Sequence, residues 1–458
     1  MMMMMMTKKK SLVVVEAMLL PFLLLLLLSG GGNNNNNSMV HGIPVSSTEA
    51  SVDPLGIISV QRGMATDLVA PIIGGDHGGC LFNGTVTLGG PFSLSSEDKF
   101  YNIGNKQLTA YGLIVDYVNR HRCGVNIDGS QYALALHSYD DQSDSDWTAT
   151  IAGHVSNKNN SGIDVLLGGY SSGLTEHLAM EANASQRLLL APGAASTGVF
   201  QGRNQAFGTF PPTAKYTAQA IKALAEVAGA KSIASFWEDE PFTKGVCGAI
   251  PDLANEYDLE LTSHQQVEPS PNVTVLTELA RNISQQDPDI VMTCVYDEGC
   301  QNWMAAMQEV NWSPRAQIFT VCVGLQSFVD AVGDDAEYIM GVTPWDQSLN
   351  IIDQVTGWSA KDFANEFMAA TGDVDVTYHA ASAASVISIA VQAIETANTL
   401  DEAILAKHIA EASFPTIYGD ISFDVNGQSE APSLLIQYDA NGTVQTVFPP
   451  ETSSGPVL

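Results

Sequence analysis

The sequence predicts an α/β fold with two Rossmann-like lobes, each built around a parallel sheet. Short apolar segments alternate with amphipathic segments at intervals of roughly 30 residues, which is typical of βαβ units. This alternation runs once before residue 210 and again after it, so two lobes are predicted. The chain has 458 residues, 45% of them hydrophobic, which is enough material for two buried cores.

The first run of predicted elements begins near Thr85. It comprises a strand at 86–94, a helix with apolar Leu108, Tyr111, Val115 and Val118, a strand at 132–136, a helix at 147–155, a strand at 163–167, a helix at 174–184 and a strand at 188–190. The 39–80 region is polar and glycine-rich, with weak strand signals only.

The second run repeats the pattern. It comprises a helix at 218–228, a strand at 232–237, a helix through Val246 and Leu253 disturbed by Pro251, a strand at 259–262, a helix at 275–283, a strand at 290–295, a helix at 303–310 and a strand at 318–323. Alanine-rich helices at 360–370 and 380–397 follow. Two alternating segments with Asn-Gly turns, 421–427 and 434–442, then predict an antiparallel ribbon.

The N-terminus predicts a targeting segment. Lys8, Lys9 and Lys10 precede a charge-free apolar stretch at 17–28, and Ser29 and three glycines follow it. Glu16 shortens the apolar stretch, which favours a cleaved signal over an uncleaved anchor. No later segment is interpreted as membrane-spanning. The protein is therefore expected to be secreted or held at the cell surface.

The composition limits the classes of molecule that this protein is expected to bind. The net charge is −31 with only 19 basic residues, which argues against nucleic acid and is best explained by solubility. Six cysteines are compatible with three disulfides. Glycosylation sequons occur at Asn36, Asn83, Asn159, Asn183, Asn272, Asn282, Asn311 and Asn441. Neither a cofactor nor a metal is predicted: the acidic loop at 140–146 lacks EF-hand spacing, and solvation and helix capping explain it better.

One segment, Gly168-Gly-Tyr-Ser-Ser-Gly173, supports two hypotheses. A strand ends there at a glycine pair, and a helix starts after two serines. Exposed amides, hydroxyls and the helix dipole suit the carboxylate of a small ligand. Gly169 to Gly173 also fits the G-x-S-x-G elbow of an esterase with Ser171 as nucleophile.

The order of motifs resembles the type I periplasmic binding proteins, especially the branched-chain amino-acid-binding group and the ligand-binding region of some receptors. The resemblance covers about 84–450. It is carried by Leu88-Gly-Gly-Pro-Phe-Ser93, the 111–119 helix, the acidic loop, Gly168-Gly-Tyr-Ser-Ser-Gly173, Pro192-Gly-Ala-Ala-Ser196, Asp239-Glu-Pro-Phe-Thr-Lys-Gly245 and the 417–427 segment.

The resemblance implies a three-strand hinge and a domain plan. Crossings between lobes are expected at 209–213, 341–344 and 417–419. The expected plan is a signal at 1–32, an irregular segment at 33–83, lobe 1 at 84–210, lobe 2 at 211–341, a lobe 1 return at 342–417, a lobe 2 return hairpin at 418–450 and a tail at 451–458.

The resemblance also implies a non-enzymatic cleft for an amino acid or similar metabolite. Carboxylate donors are expected from Ser172 and Ser196 with nearby amides, together with Ser171 and Thr197. The carbonyls of Ala194 and Ala195 are expected to accept from an ammonium. The expected side-chain walls are Tyr170, Phe242, Tyr296 and Trp345. A membrane receptor or transporter is the expected macromolecular partner.

One departure concerns the acid that binds the ligand's ammonium in the second lobe. The family places it after a late strand, but here that strand runs into Val323-Gly-Leu-Gln326. Asp297 or Glu298 is expected to substitute. If neither reaches the cleft, an amide or organic acid becomes the favoured ligand, because an unpaired buried charge is costly.

The cysteines give one specific pairing. A strand and a returning helix bring Cys80 and Cys123 to the same end of the sheet, and receptor relatives often have a bridge there. The other four leave three pairings open, and Cys294 and Cys322 are candidate neighbours because both end strands.

Two alternatives remain open. An esterase would use Ser171 with His379 or His408 as base, and His77-Gly-Gly79 as an oxyanion-hole motif. A receptor ectodomain fragment is the other.

Overall fold

A computed structural model describes residues 50–52, 58–62, 65–69, 79–372, 376–450 and 453. The predicted signal at 1–32, the sequon at Asn36, His77 and most of the predicted tail lie outside these residues. Of the 50–69 strands only the backbone is described.

The first lobe is built on a nine-stranded sheet in the order β1-β2-β3-β6-β4-β7-β8-β9, with β5 beside β6. Its strands are β1 (Ala50–Val52), β2 (Ile58–Arg62), β3 (Ala65–Val69), β4 (Gly84–Phe92), β5 (Val125–Ile127), β6 (Ser130–Asp140), β7 (Val165–Leu167), β8 (Leu189–Ala191) and β9 (Ala206–Gly208). The β6-β4-β7-β8-β9 core is parallel. Strands β1 to β3 add to it antiparallel, within the segment that the sequence analysis treated as irregular.

The second lobe is built on a seven-stranded sheet in the order β11-β10-β12-β13-β14-β17-β18. Its strands are β10 (Ser232–Glu238), β11 (Glu260–Val267), β12 (Ile290–Cys294), β13 (Ala316–Phe319), β14 (Met340–Thr343), β17 (Leu434–Tyr438) and β18 (Val444–Phe448). The first five are parallel and the last two join antiparallel. Every residue of β12, β13 and β14 is buried, as expected of parallel strands covered on both faces. The α/β class with two parallel-sheet lobes is therefore confirmed.

Helices cover the sheets. They are α1 (Tyr101–His121), α2 (Ser145–Ser156), α3 (Lys158–Ser161), α4 (Ser172–Ala184), α5 (Thr197–Phe200), α6 (Ala218–Lys222), α7 (Pro241–Gly248), α8 (Ile250–Glu256), α9 (Val273–Ser284), α10 (Asp297–Val310), α11 (Gln326–Val332), α12 (Ala360–Thr371), α13 (Tyr378–Ala397) and α14 (Glu402–Glu411). Side-chain caps begin several of them: Asp144 accepts from the Trp147 amide, and Ser359 and Asp362 form a capping box. The break predicted at Pro251 separates α7 from α8.

The chain returns to the first lobe after β14. Helix α13 packs against α1, and a salt bridge of 2.8 Å joins Arg122 to Glu395 at the end of this contact. With 20 residues and high hydropathy, α13 is long and apolar enough to cross a membrane, contrary to the sequence analysis. Most of it is buried between α1 and α14, so it is a core helix of this lobe.

The last passage to the second lobe differs from the expected one. Residues 417–419 form the turn of a hairpin between β15 (Phe414–Thr416) and β16 (Gly419–Ile421). The following 421–429 segment folds back on itself and bridges from Gln428 to Gly208 of the first lobe. The amide Nε2 of Gln428 also donates to the Ala195 carbonyl, at 2.9 Å. The predicted single ribbon is therefore wrong: only 434–448 forms a hairpin of the second sheet.

Three disulfides use all six cysteines. Cys80–Cys123 confirms the specific pairing. Cys247–Cys294 and Cys300–Cys322 complete the set, so the suggested proximity of Cys294 and Cys322 does not correspond to a bond. Strand β10 lies beside β12, which brings the helix after β10 to the end of β12 and explains the Cys247–Cys294 pair.

Candidate functional site

The two turns predicted to hold a ligand lie side by side at the carboxyl ends of β7 and β8. Backbone pairing joins Tyr170 to Gly193 across them. A Cβ at Gly193 would lie 2.3 Å from the carbonyl oxygen of Gly169, so this approach requires glycine. The sequence therefore dictates the contact between the turns.

Ser172 joins the turn after β7 to the turn after β8 by hydrogen bonds. Its hydroxyl oxygen accepts from the amides of Ala195 and Ser196, each at 3.1 Å, and the residue is 1% exposed. These are two of the amides that the sequence analysis offered to a ligand carboxylate. The structure gives them to Ser172 instead.

The carbonyl of Ala195 is also occupied. It accepts from the amide of Thr213 at 3.0 Å and from Gln428 at 2.9 Å. Ala194 is completely buried, and Ser196 and Thr197 are half-buried where α5 begins. The second turn is thus joined by hydrogen bonds to the segment after β9 that contains Thr213.

The predicted aromatic walls meet across the interface between the lobes. The ring of Tyr170 lies 6.0 Å from that of Tyr296, and Phe242 lies 6.1 Å from Tyr296. Phe100, which sequence reasoning missed, contacts both Tyr170 (5.3 Å) and Tyr296 (5.1 Å). Burial raises the pKa of both tyrosines well above the ordinary value, so their rings stay neutral.

Lys99 adds an ionic contact between the lobes. Its Nζ lies 3.4 Å from Glu240 and 3.9 Å from Glu238, and 4.8 Å from the centre of the Tyr296 ring. Glu238 is 1% exposed and also accepts from the amide of Tyr296 at 3.0 Å. Burial raises the pKa of Glu238 and Lys99 opposes that rise. The lobes are closed on one another here.

The two acids expected to bind an ammonium are directed elsewhere. Asp297 accepts from the hydroxyl of Ser327 at 2.9 Å and from Gln301 at 3.4 Å, which ties it to its own lobe. Burial raises its pKa. Glu298 is exposed at the start of α10. Asp297 nevertheless lies near enough to Tyr170 on the first turn to add to the rise that burial causes in the pKa of that phenol.

A cavity of about 190 Å³ lies between the second-lobe strand ends and the start of α13. Trp345 lines it, and its indole donates to the Ile417 carbonyl at 2.7 Å. Tyr378 lines it as well, and its ring stacks on His379 at 3.8 Å. Both lobes contribute to this space.

Beside the turns, two fully buried polar side chains have no hydrogen-bond partner among the described residues: Gln107 on α1 and His379 on α13. Burial, and secondarily Lys106, lower the pKa of His379 to about 3, so its ring is neutral. The sequence signal for such residues is a polar side chain on an otherwise apolar helix face.

The esterase geometry is not formed. Burial raises the pKa of Tyr296, and the hydroxyl of Ser171 lies close enough to that phenol to oppose the rise by hydrogen bonding. Among the residues that the structure describes, the ring nitrogens of His379 have no hydrogen-bond partner, and the His408 ring packs on Phe414. Among the described residues, no three His, Cys, Asp or Glu side chains are grouped to hold a metal ion.

The chain passes three times between two α/β lobes, and both lobes line a cavity between them. This arrangement defines the class of bilobal binding proteins. A family model described as periplasmic binding protein matches residues 85–443, and the chain belongs to that family.

Solved structures show the same fold at low sequence identity. The leucine-binding protein LivK of Thermotoga maritima is 14% identical, with a TM-score of 0.69 over 79% of this chain and 98% of its own. LivJ of Streptococcus pneumoniae, solved with isoleucine, is 16% identical, with a TM-score of 0.68 over 80% and 100%. A solute-binding protein of R. palustris, solved with benzoate, is 15% identical, with a TM-score of 0.65 over 79% and 95%.

Proposed function

We propose that this protein binds an amino acid or a similar carboxylate-bearing metabolite between its lobes and closes over it by a hinge motion. The observation that carries the proposal is the meeting of Tyr170 from the first lobe with Tyr296 from the second, beside which Phe242 of the second lobe lies. Rings from two separate sheets converge where the strands of the first lobe end, which is where open α/β sheets bind ligands.

The ligands of the relatives agree with this chemistry. Leucine, isoleucine and benzoate are named for the similar structures, and each has a carboxylate beside an apolar body. The aromatic walls of this protein suit such a body.

The closed contacts support the proposed hinge motion. The rings of Tyr170 and Tyr296 and the ion pair of Lys99 close the space between the lobes, so a ligand gains access only when they separate. The three linking passages near 209–213, 341–344 and 430–433 are the candidate hinge.

Family membership implies a location outside the cytoplasm, and we propose delivery by the N-terminal signal. Three disulfides suit an oxidising compartment. All seven sequon asparagines among the described residues are exposed, which permits glycosylation. The proposed partner is a transporter or membrane receptor that recognises the closed form.

A ligand screen with a shape measurement tests the proposal. Purified protein is titrated with amino acids, aliphatic acids and aromatic acids while its melting temperature is followed. A ligand present at 100 times its dissociation constant stabilises the native state by about 2.7 kcal/mol. Small-angle scattering with that ligand should give a smaller radius of gyration than open, ligand-free protein. No stabilisation by any compound class would refute the function.

A further inference from the structure

A second cavity lies in the first lobe, away from the space between the lobes. It has a volume of about 340 Å³ and is bounded by α14, by the segment that leads into β9 and by the turn at 424–427. This cavity, the distal groove, lies at the amino end of β9, whereas the turns of the candidate site lie at the carboxyl ends of β7 and β8. Small-molecule sites have volumes of about 300–1,000 Å³. The distal groove therefore has room for a ligand of its own.

Part of the distal groove is apolar. Phe200, Phe207 and Ala406 line it and are buried, so they form its floor. Val425 lines it from the turn and is 99% exposed, the largest exposed fraction among the large apolar side chains of the described residues. Covering such a side chain with another apolar surface is favourable. The groove therefore suits a ligand with an apolar face.

Hydrogen-bond acceptors and donors are mixed along the same groove. Oε1 of Gln205 is buried and has no hydrogen-bond partner among the described residues. Oδ1 of Asp424 accepts from the amides of Asn426 and Gln428, at 2.8 and 3.0 Å, which leaves Oδ2 for a further donor. The donors that line the groove are the side-chain amides of Gln186, Asn204 and Asn426 and the ammonium group of Lys407.

This mixture favours a neutral ligand with many hydroxyl groups. A hydroxyl both donates and accepts, so it can satisfy Gln205, Asp424 and Lys407 alike. A simple anion offers no donor to Gln205 and is repelled by Asp424. A purely apolar ligand leaves the Gln205 oxygen unpaired, which is costly. A saccharide combines hydroxyl groups with an apolar ring face that suits Val425.

A saccharide attachment site lies beside the groove. Residues Asn183–Ser185 form a glycosylation sequon at the end of α4, and Asn183 is exposed. Nε2 of Gln186, which lines the groove, donates to the carbonyl of Asn183 at 2.8 Å. A glycan attached to Asn183 therefore starts at the edge of the distal groove.

We propose that the distal groove binds the N-linked glycan of Asn183, with the first two sugar rings between α14 and the 424–427 turn. In the attachment, Nδ2 of Asn183 loses a proton and bonds to C1 of the first sugar, and the pyrophosphate of a lipid-linked oligosaccharide donor leaves. Both α14 and the 424–427 turn come much later in the sequence, so Asn183 is accessible while the chain is being made. The inference goes beyond ligand binding between the lobes and rests only on the delivery by an N-terminal signal proposed above.

The experiment measures how far the folded protein protects this glycan from cleavage. The full chain is secreted from yeast, and glycopeptide mass spectrometry gives the occupancy of every sequon. The protein is then treated with an endoglycosidase that cuts between the first two N-acetylglucosamine rings. Only a glycan that has left the groove is accessible, so the Asn183 glycan should be cleaved about tenfold more slowly in folded than in denatured protein.

Asn282 is the matched reference in the same molecule. It lies in the last turn of α9 and is exposed, and its carbonyl accepts from Nε2 of Gln286 at 3.4 Å, as that of Asn183 accepts from Gln186. It belongs to the second lobe and does not line the distal groove. The Asn282 glycan should therefore be cleaved at about the same rate in folded and denatured protein.

Two variants test whether the groove provides the protection. Gln205→Ala combined with Val425→Ser removes one polar and one apolar contact, and should bring the cleavage rate at Asn183 within about twofold of the denatured rate. Ile352→Ser changes an apolar residue that is 57% exposed and does not line the groove, so it should leave the protection unchanged. Circular dichroism checks that each variant is folded.

The outcomes separate this inference from the proposed function. Equal cleavage of the Asn183 glycan in folded and denatured unaltered protein would overturn it, even where a variant does not fold, and so would a folded double variant that keeps the protection. If Asn183 carries no glycan while other sequons do, the inference fails and the proposed delivery stands. If no sequon carries a glycan, both fail. Ligand binding between the lobes is measured separately, and none of these results bears on it.

Discussion

Replacing Ser172 by alanine should destabilise the protein rather than act on the ligand directly. The hydroxyl accepts from two amides in a site that is 1% exposed, and alanine leaves both amides without a partner. A buried unsatisfied donor costs about 1–3 kcal/mol, so the variant should lose about 2–4 kcal/mol in the free energy of unfolding. The loss should appear as a lower urea midpoint with an unchanged m-value.

Ser196→Ala is the matched control for this measurement. The described structure shows no hydrogen bond from the Ser196 hydroxyl, and the residue is half-buried. Its free energy of unfolding should stay within about 0.5 kcal/mol of that of the unaltered protein. Equal stability of Ser172→Ala and the control would refute the view that Ser172 joins the two turns, and would restore it as a candidate ligand donor.

Three further predictions concern closure, acid stability and the disulfides. Lys99→Met should remove the ion pair with Glu240 and raise the radius of gyration of the ligand-saturated protein in small-angle scattering, whereas an unchanged radius would show that the pair does not hold the lobes. The pKa of His379 falls from 6.5 to about 3 on burial, so the folded state binds fewer protons and stability is lost as pH falls through that window. His379→Phe should flatten the acid side of the urea-midpoint profile, and a profile as steep as before would contradict this assignment. Replacing Cys300 and Cys322 by alanine opens a bridge with a separation of 22 residues and should cost about 3 kcal/mol in urea unfolding; a loss below 1 kcal/mol would count against the loop-entropy estimate.

Much of the fold could be predicted because its signals are local. Strand and helix periodicities identify β4, β7, α12 and α13 within a few residues, and the Cys80–Cys123 bridge follows from one strand and one helix. The 421–427 segment was misplaced because its alternation does not say which sheet it joins. Gln428 decides that through a hydrogen bond to Ala195, which is 233 residues away in sequence.

The site was less accessible to sequence reasoning. The strand ends that carry the two turns could be predicted from the sequence, but the direction of the polar atoms in the turns could not. Ser172 bonds inward to the neighbouring turn, and Asp297 bonds to Ser327 on α11. Such choices depend on neighbours that only the folded chain brings together.

The late arrival of β17, β18 and α13 affects how the chain matures during synthesis. Strand β14 pairs with β17, and α1 packs against α13, and both of these partners come much later in the sequence. We therefore expect that neither lobe completes its core until nearly the whole polypeptide has left the ribosome. A chain that terminates before these elements should therefore contain two incomplete cores and no independently folded lobe.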